Sequence, residues 1–77
     1  MEISKWNKAM ESFQELLGWD YGMNVVLDIK KTTCRNKSIP DIYGRDERRL
    51  LYKLRRTYDE VKKDKECIQE WRKDDTS

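Results

Sequence analysis

Between positions 45 and 56 the chain reads Arg-Asp-Glu-Arg-Arg-Leu-Leu-Tyr-Lys-Leu-Arg-Arg, five arginines and one lysine in 12 residues. A guanidinium is a planar fork of donors that matches phosphate or carboxylate oxygens. A tyrosine set among such groups adds a ring that can stack and a hydroxyl that can hydrogen-bond. At about 100° per residue, Arg48, Arg49, Tyr52 and Arg56 all fall within about 60° of Arg45 on a helix, and Lys53 borders them at about 80°. Leu50, Leu54 and Val61 lie roughly 140–180° away from Arg45 by the same count. The spacing therefore predicts one helix with an apolar face and, opposite it, a contact face of Arg45, Arg48, Arg49, Tyr52, Lys53 and Arg56. The chemistry such a face performs is recognition of anions.

The charge of the whole chain supports this focus. The formal net charge is only +2, but it is unevenly placed. Residues 1–29 carry a net −3, residues 30–56 a net +7 and residues 57–77 a net −2. A basic middle between two acidic ends suits a nucleic-acid backbone, and it equally suits an acidic protein surface. A third reading is a solvated face, because Asp46, Glu47, Asp59 and Glu60 stand at i, i+3 or i, i+4 spacing from several of the bases. Asp59 and Glu60 also interrupt the lower half of the stripe.

Catalytic equipment is missing from the sequence. There is no His, the commonest general acid-base residue, and no G-x-S-x-G, G-x-x-x-x-G-K or G-x-G-x-x-G pattern. Almost all the carboxylates sit in strongly polar runs beside bases, whereas a catalytic carboxylate needs an apolar pocket or a like-charged partner, which a core this small can hardly build. Cys34 and Cys67 make no CxxC pair and have no His to complete a zinc site. Two reduced cysteines are the expectation, with a single disulfide as the alternative. We therefore expect a non-enzymatic binding protein with no cofactor, no metal and no small-molecule substrate.

The elements that position the basic face follow from hydrophobic spacing. Ile3, Trp6, Met10, Phe13 and Leu17 step by three and four, one stripe along a first helix, with Ser4 as its cap and Gly18 as the left-handed residue just past its end. Residues 19–33 are ambiguous. Met23, Val25, Leu27 and Ile29 alternate as in a strand, whereas Met23, Val26, Leu27 and Lys30 share a helix face with Asp20 as cap. A lone strand lacks a partner within the chain, so a helix is favoured and a short strand at 23–30 remains the alternative. Residues 34–44 form a connection in which Ile39-Pro40 disfavours continuous helix, with Ile39, Ile42 and Tyr43 pinning it to the core. A long helix then runs from a cap at Asp46 to about Trp71. Its apolar stripe lapses at Asp64 and Lys65, and the tail at 72–77 frays.

Length and composition bound the rest. Seventy-seven residues allow one small domain, residues 1–77, and a modest core. Leu, Ile, Val and Phe make up just under a fifth of the chain, but the low net charge and seven Trp and Tyr residues argue for a folded domain over a disordered one. The fold class expected is mainly α, two or three helices with a long C-terminal one, or α+β if the strand alternative holds. No apolar run is long enough to span a membrane and no secretory signal precedes the first helix, so a complete short reading frame resident in the cytoplasm is expected. Two functions follow. The first is a nucleic-acid-binding regulator. The second is an inhibitor or adaptor docking on an acidic protein surface, with Trp19 and Trp71 as candidate aromatic anchors. A monomer or weak homodimer is expected in either case.

Overall fold

The computed structural model describes the backbone of residues 1–75 and the side chains of residues 1–66. Three α-helices account for nearly all of it: α1 (Ile3–Leu17), α2 (Trp19–Cys34) and α3 (Arg45–Asp75), with a short 3-10 turn at Ile39–Asp41. Among the described residues there is no strand.

The α1 stripe packs much as its spacing implies. Trp6 and Phe13 are buried, Met10 and Leu17 pack beside them, and only Ile3 turns outward, 58% exposed. Ser4 does not cap α1; it lies inside the first turn, and the helix follows Glu2 without a side-chain cap. Gly18 ends α1 and starts α2 by itself. Its φ of 94° and ψ of 156° belong to a region essentially restricted to glycine, so one residue reverses the chain.

Residues 19–34 are helical. Gly22 and Val26 are buried on one face with Ile29 packed beside them, a 3.6-residue period, and Cys34 is buried at the helix's last residue. The β-branched content that favoured a strand yields to packing, since a helix satisfies its own backbone while a lone strand cannot. Asp20 lies in the first turn and makes no capping bond. α2 returns along α1, so that the connection after it reaches the start of α1, where the Met1 amino group donates to the Ile42 carbonyl.

The connection begins with a turn closed by the Lys37 amide on the Cys34 carbonyl at 3.1 Å. Arg35 occupies its first central position at φ 54°, ψ −123°, the geometry of a type II′ turn. Ile42 is completely buried and Ile39 packs against the core, but Tyr43 is 66% exposed and pins nothing.

α3 starts one residue before the expected cap. Gly44, at φ 69°, precedes it and its carbonyl accepts the first bond, from the Arg48 amide. Asp46 is therefore a first-turn residue, and its carboxylate accepts from Lys37 instead. Leu50 and Leu54 are buried, and Tyr58 meets Phe13 edge to face with ring centroids 5.5 Å apart. Within the lapse in the apolar stripe, Lys65 Nζ donates to the Leu16 carbonyl at 2.7 Å. That carbonyl is one of the last of α1, which have no partner inside the helix. α3 remains a single helix through this point and past Trp71 to Asp75. Of the expected frayed tail at 72–77, residues 76–77 lie outside the described residues; the side chains of Cys67 and Trp71 do so too.

Lys5 lies 4.0 Å from Glu47 at one end and Leu16 meets Lys65 at the other, so α1 and α3 run in the same direction with α2 antiparallel to both. At about 1.5 Å per residue α3 is about twice as long as either partner, and the principal extents are 52 × 21 × 19 Å. The core is a small apolar seam, and no polar residue is buried in it among the described residues.

Candidate nucleic-acid interface

All six residues of the expected contact face lie on the first four turns of α3, and all six are exposed. Tyr52 is 65% exposed, whereas Leu50 and Leu54 on the opposite face are 0% and 2% exposed. The predicted separation of faces is thus realised. From Arg45 to Arg56 the face extends about 17 Å at the α-helical rise.

Two of the acids beside this face, Asp46 and Glu47, lie nearest to other bases. Asp46 forms its ion pair with Lys37 of the preceding connection. Glu47 points to Lys5 of α1. Of the helical pairs that sequence spacing allows, only Arg56 with Glu60 forms, Nε to Oε1 at 3.3 Å. Among the described residues, no carboxylate stands within 4.0 Å of Arg45, Arg48, Arg49 or Lys53. The i, i+3 and i, i+4 pairs that sequence spacing allows are thus absent over the first three turns of the stripe among the described residues and present at its Arg56 end.

Electrostatic effects agree with this geometry. The hydrogen bond and charge of Lys37 hold the Asp46 carboxyl below its usual range, with Arg49 adding a smaller pull. Lys37 is held above its usual value by the same hydrogen bond and charge. Cys34 is free and buried, and burial pushes its thiol up, with Asp46 adding to the rise. A thiol of that kind is a small packing group, not a nucleophile.

The fold also gathers bases that the sequence left apart. The end of α2, the connection and the first turns of α3 together carry the net +7 segment. Lys30, Lys37 and Lys53 all act on Cys34 there. Lys5 and Lys8 join them from α1. With Arg48 and Arg55 they line a groove of ≈ 780 Å³ between α1 and α3. Sequence spacing showed Lys5 and Lys8 only as residues off the α1 stripe. Their relation to α3 requires the two helices to lie side by side.

Of the two candidate aromatic anchors, Trp19 is 69% exposed, with Tyr21 beside it at 65%, and the side chain of Trp71 lies outside the described residues. Trp6 is buried. No group of acidic, Cys or His side chains that could hold a metal occurs among the described residues, and no helix there is long and apolar enough to cross a membrane. In comparison with known proteins, no family model matches the chain, and no curated protein or solved structure is significantly similar to it.

Proposed function

We propose that this chain is a non-enzymatic nucleic-acid-binding regulator that lays the outer face of α3 against the phosphate backbone. The carrying observation is that Arg45, Arg48, Arg49 and Lys53 are exposed and, among the described residues, have no carboxylate within 4.0 Å, Asp46 being paired with Lys37 and Glu47 standing 4.0 Å from Lys5. Unpaired guanidinium groups need shed no internal ion pair before meeting a phosphate, so the counterions they release from the nucleic acid drive binding directly. The basic face is as long as about five base pairs of duplex, which allows roughly four phosphate contacts. Tyr52 in its centre adds a ring or hydroxyl. Asp59 and Glu60 bound the footprint at its far end and keep the rest of α3 off the polyanion by like-charge repulsion.

Contacts of this type position a protein and confer little sequence preference. The expected activity is therefore occupancy of nucleic acid in the cytoplasm by a monomer or weak dimer, with regulation arising from what the bound chain excludes or recruits. The test is binding to labelled duplex DNA, single-stranded DNA and RNA over a salt series. The double variant Arg49→Glu/Arg56→Glu should lose binding and keep its helicity. A second reading, recognition of a protein partner, is favoured by the groove between α1 and α3.

A further inference from the structure

α1 and α3 run side by side, and α2 closes the gap between them on one side only. On the other side an open groove remains. Its floor is apolar: Ala9 and Phe13 from α1, Leu51, Leu54 and Tyr58 from α3. Its walls are basic: Lys5 and Lys8 on one, Arg48 and Arg55 on the other, with no acid among the lining residues. Glu47 stands 4.0 Å from Lys5 at the end of one wall and is not among the lining residues. The stretch from Lys5 to Phe13 and the stretch from Arg48 to Tyr58 are roughly 12 and 15 Å long, between two and three helical turns.

From this arrangement we infer that the groove receives an acidic amphipathic helix of a protein partner, apolar side inward and carboxylates flanking it. The floor selects against an extended peptide, whose backbone donors and acceptors would meet Phe13 and Leu54 with no partner; a helix satisfies its own. The paired basic walls select for carboxylates on both flanks of the incoming helix, and the parallel course of α1 and α3 gives it a straight trough to pack along at ordinary interhelical distance. A polyanion without apolar side chains reaches the walls and leaves the floor wet, which disfavours nucleic acid here. α3 itself continues away to Asp75 as one helix, so its own end does not fold back into the groove. The site touches the nucleic-acid face at Arg48 and Tyr52, but Lys8 and Arg55 belong to the groove, and Arg49 and Arg56 belong to the outer face. The two surfaces can therefore be separated by mutation.

The probe is a fluorescein-labelled peptide of about 14 residues, Leu at every third or fourth position and Glu on both flanks, read by fluorescence anisotropy against the whole chain. Its companion carries Lys in place of each Glu. The Glu peptide should bind and the Lys peptide should bind at least tenfold more weakly. In the double variant Lys8→Glu/Arg55→Glu, both positions being exposed, the order should invert. Arg49→Glu/Arg56→Glu should bind the Glu peptide within twofold of the parent, so a failure of the nucleic-acid reading leaves this result untouched. Three results overturn the inference. One is equal binding of both peptides, or of neither. Another is displacement of the peptide by duplex DNA together with loss of DNA binding in Lys8→Glu/Arg55→Glu. The third is concentration-dependent dimerisation abolished by that same variant, which assigns the groove to a second copy.

Discussion

Gly22 of α2 sits against the backbone of Phe13 in α1. A Cβ at position 22 would overlap the Phe13 carbonyl and stand 2.7 Å from Gln14 Cα. Phe13, itself 2% exposed, is then free to reach across the bundle to Tyr58 of α3. The closeness of this crossing, set up by the single-residue reversal at Gly18, holds the bundle narrow and fixes where α3 can lie.

Gly22→Ala is expected to destabilise the domain by about 2 kcal/mol. Alanine is the better helix former by about 1 kcal/mol, but neither backbone can yield without parting the helices, and overpacking of this kind costs about 1–3 kcal/mol or more. A domain of this length holds only about 4–12 kcal/mol in all. Thermal unfolding followed by circular dichroism checks this; an unchanged or raised midpoint contradicts it.

Arg35→Gly should stabilise the protein by up to about 1 kcal/mol. Arg35 holds the first central position of a type II′ turn, where glycine is preferred because φ is positive. The gain from relieved strain exceeds the extra backbone entropy glycine brings to the unfolded chain. Urea unfolding of the two proteins decides it, and a lower midpoint for the variant with an unchanged slope opposes it.

Thr33→Val should also stabilise, by about 1 kcal/mol. Thr33 Oγ1 is buried with no hydrogen-bond partner, whereas the neighbouring Thr32 hydroxyl donates to the Asp28 carbonyl. Valine has the same shape and a similar helix preference, so the change removes only an unsatisfied polar atom. A loss of stability would mean that the hydroxyl is satisfied in solution.

The Lys37–Asp46 pair predicts a pH signature. Because the Asp46 carboxyl is held below its ordinary value of 3.8, its contribution is complete above that value and disappears as pH falls through the depressed one. Lys37 is held above its ordinary 10.5, so its share is complete below that and is lost as pH rises through the raised value. The stability difference between parent and Asp46→Asn should be level near neutrality and shrink at both extremes. Denaturant titrations at several pH values test this, and a difference that grows in acid refutes it.

Much of this fold can be read from the sequence. The spacing of Trp6 and Phe13 yields α1, Gly18 its end, and Leu50, Leu54 and Tyr58 the inner face of α3. Residues 23–30 resisted because Met23, Val25, Leu27 and Ile29 alternate while Gly22, Val26 and Ile29 repeat helically; only the packing of Gly22 on α1 decides between the two periods. The exposed basic face was legible because it lies on one helix, where about 100° per residue is enough. What escaped is what crosses between elements. Asp46 reads as a cap until Lys37 is seen to take its carboxylate, and Glu47 reads as a neighbour of the arginines until Lys5 is seen to draw it away. The groove needs α1 and α3 to run side by side, a relation no periodicity along one segment contains.

The most direct test of the nucleic-acid reading is the salt dependence of duplex DNA binding by the whole chain and by Arg49→Glu/Arg56→Glu. With about four phosphates contacted, the slope of log K against log salt should be close to −4 for the parent, and the variant should lose measurable binding with its helicity intact. A flat slope, or a variant that binds as the parent does, would contradict the assignment of this face to nucleic acid.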